Sequence, residues 1–237
     1  MADSPLSLSE RAGGEGDGKP LDLVLLGPAG AGKGTQSRRI ADKYHVPHVA
    51  SGDLLRMHRD RKTELGLSAM RYMDRGALVP DDLVISMIVD RMRQPDANHG
   101  ILLDGFPRTV AQATALDGEL EAEGRELKLA LYLEVPFDVL VQRAAGRWTC
   151  RTCQTTYNYD VNPPRRPGIC DVDAGELYQR EDDRPEVVSE RIRVYLEDTV
   201  PVVDYYRERG ILREVDGTQD IETVAAEIER QLEAAVW

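Results

Sequence analysis

Residues 21–35, Leu-Asp-Leu-Val-Leu-Leu-Gly-Pro-Ala-Gly-Ala-Gly-Lys-Gly-Thr, constrain the chain more than any other stretch. An apolar run of strand length, Leu21 to Leu26, feeds a glycine-rich turn over Gly27 to Gly32. A helical pattern begins at Lys33 and meets no breaker before His45-Val-Pro47. Strand, glycine loop and helix form the context in which Gly-x4-Gly-Lys signals phosphate binding. Glycines let successive backbone N–H groups turn toward one point, the helix start adds partial positive charge, and Lys33 adds a full one. The competing reading, a glycine-rich turn that only joins strand to helix, leaves the lysine and the flanking pattern without a reason. Gly30, Ala31, Gly32, Lys33, Gly34 and Thr35 are therefore expected to hold a polyphosphate.

One position departs from the general motif. After the lysine a hydroxyl is expected, to reach Mg²⁺; here that place is Gly34, and Thr35 comes one later. The metal is then expected to be held through water and a carboxylate elsewhere. Gly-x-x-Gly-x-Gly-Lys-Gly-Thr-Gln, from Gly27 to Gln36, resembles the loop of nucleoside monophosphate kinases.

At 237 residues with 41% apolar content, the chain is long enough for one large domain or a core with insertions. A formal charge of −12 repels nucleic acid and anionic membrane surfaces, so neither is expected as a partner. A nucleotide is also an anion, so cations must gather locally. They are mostly arginines, since lysine occurs only at Lys19, Lys33, Lys43, Lys62 and Lys128. No apolar run is long enough to span a bilayer, and residues 1–20 lack the apolar centre of a signal peptide. They read as a disordered leader on a soluble, cytoplasmic chain.

Strand and helix patterns alternate from Leu21 onward. A strand is expected over 46–50, helical pattern from Ser51 to a glycine stop at Gly76 with Ser51 as a helix cap, and a helix from Pro80 burying Leu83, Ile85, Met87, Ile88 and Met92. A strand over Gly100–Asp104 precedes a helix over 110–124; strand 127–135 precedes helix 136–145. A long helical pattern runs over 185–209, then a strand is expected over 211–215 and a last helix over 220–235. Such alternation implies a parallel, doubly wound sheet with its ligand site beyond the strand C-termini. The expected organisation is a core of 21–49, 80–146 and 184–237, interrupted by insertions at 50–79 and 147–183.

Three motifs in this order, the loop, Ser51-Gly-Asp-Leu-Leu-Arg56 and Asp104-Gly-Phe-Pro-Arg-Thr109, resemble those of adenylate kinases, and the likeness covers about residues 21 to 235. The resemblance implies a P-loop NTPase fold with a five-stranded parallel sheet, an insertion for the nucleoside monophosphate and a zinc-bearing lid. It implies reversible transfer of the terminal phosphoryl group of ATP·Mg²⁺ to AMP, giving two ADP. The acceptor is a phosphate oxygen, so no general base is needed, and catalysis becomes positioning and charge neutralisation. By resemblance Arg56 and Arg108 hold the AMP phosphate, and Gln112 reads the adenine edge. Ser51, Ala77, Leu78, Val79 and Gly105 complete that pocket, and Asp104 joins the Mg²⁺ shell through water. Arg143, Arg147, Arg180 and Arg191 clamp the ATP phosphates and the transferring group, with Arg180 and Arg191 also reaching AMP. Arg143 stacks near the ATP adenine, and Thr156, Tyr157 and Gln219 add further ATP contacts. Lys33, Arg108, Arg143, Arg180 and Arg191 form the implied catalytic set, in an enzyme that works as a monomer. For Arg191, on a helix rich in charge, an ordinary solvated face is the competing reading.

Cys150-x2-Cys153, then sixteen residues, then Cys170-x2-Asp173 matches structural zinc spacing, with Asp173 where a fourth cysteine would stand. His45, His48, His58 and His99 read as non-ligands. Closure of both insertions over the nucleotides, with lid pivots near Ala145-Gly146 and Asp183-Arg184-Pro185, would keep water from the transferring group. Three alternatives stay open at this level: a UMP/CMP kinase, a GTP:AMP phosphotransferase, and a zinc-ribbon module fused to a nucleotide switch.

Overall fold

The structure is a computed structural model that describes residues 20–236. The leader expected over 1–20 lies, but for Pro20, outside the described residues. Strand β1 (Leu21–Leu26) leads into helix α1 (Lys33–Tyr44), β2 (His48–Ala50), α2 (Ser51–Asp60), α3 (Glu64–Met73) and α4 (Asp81–Met92). Then come β3 (Gly100–Asp104), α5 (Val110–Ala122), β4 (Leu127–Glu134) and α6 (Phe137–Ala145). A small antiparallel sheet is next, made of β5 (Arg147–Cys150), β6 (Thr156–Asn158) and β7 (Leu177–Tyr178) in the order β6-β5-β7. The chain closes with α7 (Pro185–Val194), α8 (Val200–Glu208), β8 (Leu212–Asp216) and α9 (Ile221–Val236).

The five long-range strands pair in parallel in the order β2-β3-β1-β4-β8. Alternation along β1 and β3 divides the core between the two faces. Val24, Leu26, Ile101 and Leu103 pack with Met87, Leu116 and Tyr206 on one side. Leu23, Leu25 and Leu102 pack with Ile40, Leu140, Ile192 and Leu232 on the other. Because both faces are covered, β1 and β3 are apolar runs and not alternating ones, as a doubly wound sheet requires. β1 and β3 lie side by side with Leu25 opposite Asp104, so the glycine loop and Asp104 emerge together at the C-terminal edge.

The structure revises several sequence expectations. The strand over 46–50 is three residues long, and the helical stretch over 51–76 is two helices. Between these, Thr63 caps α3 by accepting from the Gly66 N–H at 3.1 Å, which starts a new helix axis. Ser51 caps nothing: Ala50 holds the cap position, and the serine hydroxyl donates to the Gly105 carbonyl at 2.6 Å. Along α4, Val84, Met87, Ile88 and Met92 are buried, while Leu83 and Ile85 are half-buried. The helix expected over 185–209 widens into a π turn at Tyr195–Thr199, where the Val200 N–H bonds to the carbonyl of Tyr195. Pro201 explains this, since its ring has no N–H and collides with the carbonyl four residues back in a regular helix.

Candidate active site

The glycine loop is shaped by close approach. Gly30 has φ +90°, and a Cβ there would stand 2.4 Å from the Leu140 carbonyl oxygen, so α6 forbids any side chain. Gly32, in the left-handed region at φ 95°, turns the chain into α1. The Lys33 ammonium bends back over the loop and donates to the carbonyls of Gly27 and Pro28 at 2.7 and 3.1 Å. Burial lowers its pKa to about 8, against the pull of Asp104.

A cavity of about 310 Å³ opens at this edge of the sheet. Every residue that the sequence assigned to the loop, the acceptor pocket, the arginine clamp and the Mg²⁺ shell lines it; the cysteine cluster does not. Arg56, Arg108, Arg147, Arg180 and Arg191 converge with Lys33 on one space, in a chain of net charge −12. Burial lowers Arg108, and lowers Arg180 and Arg191 to about 10. The fold thus holds cations where they lack full solvation, an arrangement that suits an incoming polyanion.

Carboxylates hold these cations in place. Arg147 pairs through Nε and Nη2 with the buried Asp183. Arg191 lies 3.1 Å from Asp182, and Arg56 lies 3.7 Å from the same carboxylate. Burial would raise Asp182, but Arg191, Arg56, Arg147 and Arg180 outweigh that and hold it at about 2. Arg56 also donates to Asp53 at 2.5 Å. The Nε atoms of Arg56 and Arg180 are buried without a partner among the described residues.

Near the start of α5, the Arg108 Nε donates to the Gly105 carbonyl at 2.7 Å. Thr109 caps α5, accepting from the Gln112 N–H, and the Gln112 side chain reaches back to the Arg108 N–H at 2.8 Å, a capping-box pattern shifted by one residue. Arg143 stands apart from the other cavity arginines. Its Nη atoms donate to the carbonyls of Gly217 and Thr218 at 2.7 and 3.2 Å, which leaves its planar face to a ligand. Those bonds fix the turn that carries Gln219. Tyr157 lines the cavity, but its hydroxyl lies 3.4 Å from the Cys170 sulfur and accepts from the Asp171 N–H. Its phenol oxygen therefore braces the cysteine cluster.

Asp104 emerges from β3 buried. Burial would raise its carboxyl, yet a contact of 3.2 Å with His48 Nε2 and the charges of Lys33, His48 and Arg108 hold it below the usual carboxylate range. His48 is a cavity residue that sequence reasoning missed; so are Asp53, Asp182, Tyr195 and Thr199. Asp53 carried a signal, since it sits inside Ser51–Arg56, whereas only the register β2↔β3, Ala50 opposite Asp104, brings His48 to this carboxylate.

In the small sheet, the ligand atoms of Cys150, Cys153, Cys170 and Asp173 all lie within 4.8 Å of one another. The N–H groups of Thr152 and Val172 point at the sulfurs of Cys150 and Cys170 at 3.4 Å, as in knuckles that stabilise thiolates. Three soft sulfurs and one carboxylate fit a tetrahedral Zn²⁺ site with no open position.

A glycine loop with its lysine, a carboxylate on the neighbouring strand and arginines drawn from distant parts of the chain define a P-loop phosphotransferase. The sequence model of the family described as adenylate kinase matches residues 25–211. The chain is 49% identical over 213 residues to the adenylate kinase of Archaeoglobus fulgidus, covering 90% of this chain and 98% of that one. It is 48% identical over 212 residues to that of Listeria innocua, covering 90% and 99%, and 49% identical over 208 residues to that of Bacillus subtilis, covering 88% and 96%. The chain belongs to the adenylate kinase family.

Proposed function

We propose that this cavity carries out the ATP:AMP phosphoryl transfer of the family by a division of labour among its residues. The loop from Gly30 to Thr35 and Lys33 hold the β- and γ-phosphates of ATP. Arg143 offers its flat face to the ATP base beside the turn of Gln219, with Thr156 and Tyr157 closing over it. Arg56 and Arg108 hold the AMP phosphate, and Ser51, Ala77 to Val79, Gly105 and Gln112 surround its nucleoside. Arg147, Arg180 and Arg191 neutralise the group in flight. The observation that carries this reading is the convergence of Lys33 with Arg56, Arg108, Arg147, Arg180 and Arg191 on one cavity at the C-terminal edge of the sheet.

Mg²⁺, bound with ATP, supplies charge neutralisation across the phosphates. Asp104, kept ionised by His48, Lys33 and Arg108, is the carboxylate that would hold its water shell. No proton needs removing from the acceptor, and no side chain is given that task. Residues 50–79 and 147–183 act as two flaps around this core, and the second is fastened by Zn²⁺ on Cys150, Cys153, Cys170 and Asp173. We infer that the enzyme works as a cytoplasmic monomer. No helix among the described residues is long and apolar enough to cross a membrane.

The test is a coupled assay with ATP, Mg²⁺ and AMP, repeated with CMP, UMP and GMP, on wild type and Arg108→Ala. ADP formation that requires AMP and drops by about a hundredfold or more in the variant supports the reading. ATP turnover indifferent to AMP overturns it and favours a nucleotide switch.

A further inference from the structure

Gln112 is almost wholly buried, at 1% exposure, yet lines the cavity, and both ends of its amide are engaged. Its Oε1 accepts from the Arg108 backbone N–H at 2.8 Å, and its Nε2 donates to Asp81 Oδ1 at 2.7 Å. The second Asp81 oxygen accepts from the Thr109 hydroxyl at 2.9 Å. Asp81 lies in the first turn of α4 and does not line the cavity.

An ionised carboxylate only accepts and a backbone N–H only donates, so the two partners demand the same orientation of the amide. A flipped Gln112 would set oxygen against carboxylate and NH2 against N–H, leaving four polar groups opposed in a buried place. In the observed orientation the amide keeps one N–H and one lone pair for a ligand. Adenine offers at its Watson–Crick edge an acceptor at N1 and a donor at N6. A 6-oxopurine offers the reverse, a donor at N1 and an acceptor at O6. An amide free to turn serves either edge, and an amide held in one orientation serves one.

We propose that Asp81 is a specificity-determining positioning residue: by fixing the direction of the Gln112 amide, it makes the acceptor pocket select 6-aminopurine over 6-oxopurine monophosphates. The inference rests on the reading that Gln112 meets the acceptor base. Thr109 joins the device by holding the second Asp81 oxygen, so that the carboxylate stays aligned with Gln112. The same residues 108–112 carry a phosphate arginine and the base amide, which ties the two ends of the acceptor together.

The experiment compares kcat/KM for AMP and for IMP, with ATP·Mg²⁺ as donor, in wild type, Asp81→Ala, Asp81→Asn and Gln112→Ala. IMP has the 6-oxopurine edge without the extra amino group of GMP. In Asp81→Ala the AMP-to-IMP ratio is expected to fall roughly tenfold or more, mainly through a higher KM for AMP, with kcat at saturating AMP changing far less. Asp81→Asn, whose oxygen can still accept from Gln112 while its NH2 donates to Thr109, is expected to recover most of the ratio. Gln112→Ala is expected to lose it. If Gln112→Ala loses the ratio while Asp81→Ala keeps it, the positioning role is overturned and the reading of Gln112 stands. If Gln112→Ala keeps the ratio, Gln112 does not meet the base and both fall. A loss of kcat in Asp81→Ala with an unchanged ratio assigns Asp81 a structural role only and overturns the proposal. Should the alanine variant not fold, Asp81→Leu, of similar size and without an acceptor, decides between the same outcomes.

Discussion

Arg180, at the end of the lid, lies 3.5 Å from Asp53, in the first turn of α2 in the other insertion. Together with Arg56 and Asp182 at 3.7 Å, it ties residues 50–79 to residues 147–183 across the cavity, the kind of contact that closure of the two proposed flaps would use. Asp53 is about 42% exposed at its side chain, which places this contact among the weak ion pairs. Asp53→Ala is expected to lower the closed population by about two- to fivefold, corresponding to about 0.5–1 kcal/mol. Distance measurements between labels on the two flaps, in low and high salt, check this. A closed population insensitive to both mutation and salt would show that the pair does not hold the flaps.

Lys33 gives a pH dependence. Its folded pKa of about 8 lies below the ordinary 10.5 of lysine, because burial disfavours the ammonium. As pH rises through about 8 the free enzyme loses the charge that greets the donor. Thus kcat/KM for ATP·Mg²⁺ should fall while kcat at saturating ATP falls later, since bound phosphates hold the proton. For stability the sign is opposite. Between about 8 and 10.5 the unfolded chain keeps the proton that the folded one has shed, so this group's contribution grows more favourable as pH rises. Lys33→Arg should remove the inflection in kcat/KM near pH 8.

Gly30→Ala should damage the loop out of proportion to its one methyl group. The new carbon would meet the Leu140 carbonyl at 2.4 Å, and φ +90° is strained for alanine whatever the space. A loss of about 1–3 kcal/mol in thermal or urea unfolding is expected, with a raised KM for ATP. A variant as stable and as active as wild type would show that α6 does not confine the loop.

The lid's own apolar cluster consists of Cys150, Tyr157, Cys170 and Leu177, with Trp148 and Cys153 packed against it. So small a core cannot hold a fold without a fastening. Cys170→Ser, or exhaustive chelation, should therefore release one equivalent of metal. It should also produce an early melting transition confined to the lid, visible in Trp148 fluorescence, while the sheet core melts near its original temperature. A single unchanged transition after metal removal would sink the idea of a metal-fastened lid.

The sheet was legible because both its faces are covered. The continuous apolar runs at 23–26 and 101–103 read as strands buried on both faces, and the glycine loop after the first run calls for a helix next. The arginines of the site were legible through motifs. The features that stayed hidden depended on register or on competition between local rules. His48 reaches Asp104 only because β2 lies beside β3 in a parallel pairing that neither strand's composition announces. Ser51 sits where a cap would be expected, but the Gly105 carbonyl, 54 residues away, claims its hydroxyl. Arg143 carries two implied roles in the sequence, phosphate clamp and stacking partner of the ATP adenine, and nothing in its motif announces that its Nη donors go to the turn at 217–218. The two-helix form of 51–76 was signalled by Thr63, whose capping role the surrounding helical pattern obscured.

Arg147 and Asp183 occupy the points where the chain enters and leaves the lid, and they bond to each other. Gln179 adds a further stitch by donating to the Ala145 carbonyl at 3.1 Å. The span between these ends is thus tied off like a purse at its neck. Its body is tied to the core a second time, where Arg38 of α1 donates to the Gln154 carbonyl at 2.5 Å and Asn158 donates to the Arg143 carbonyl at 3.1 Å, so a segment grafted between the same two residues would keep its angle to the active site only by remaking those contacts.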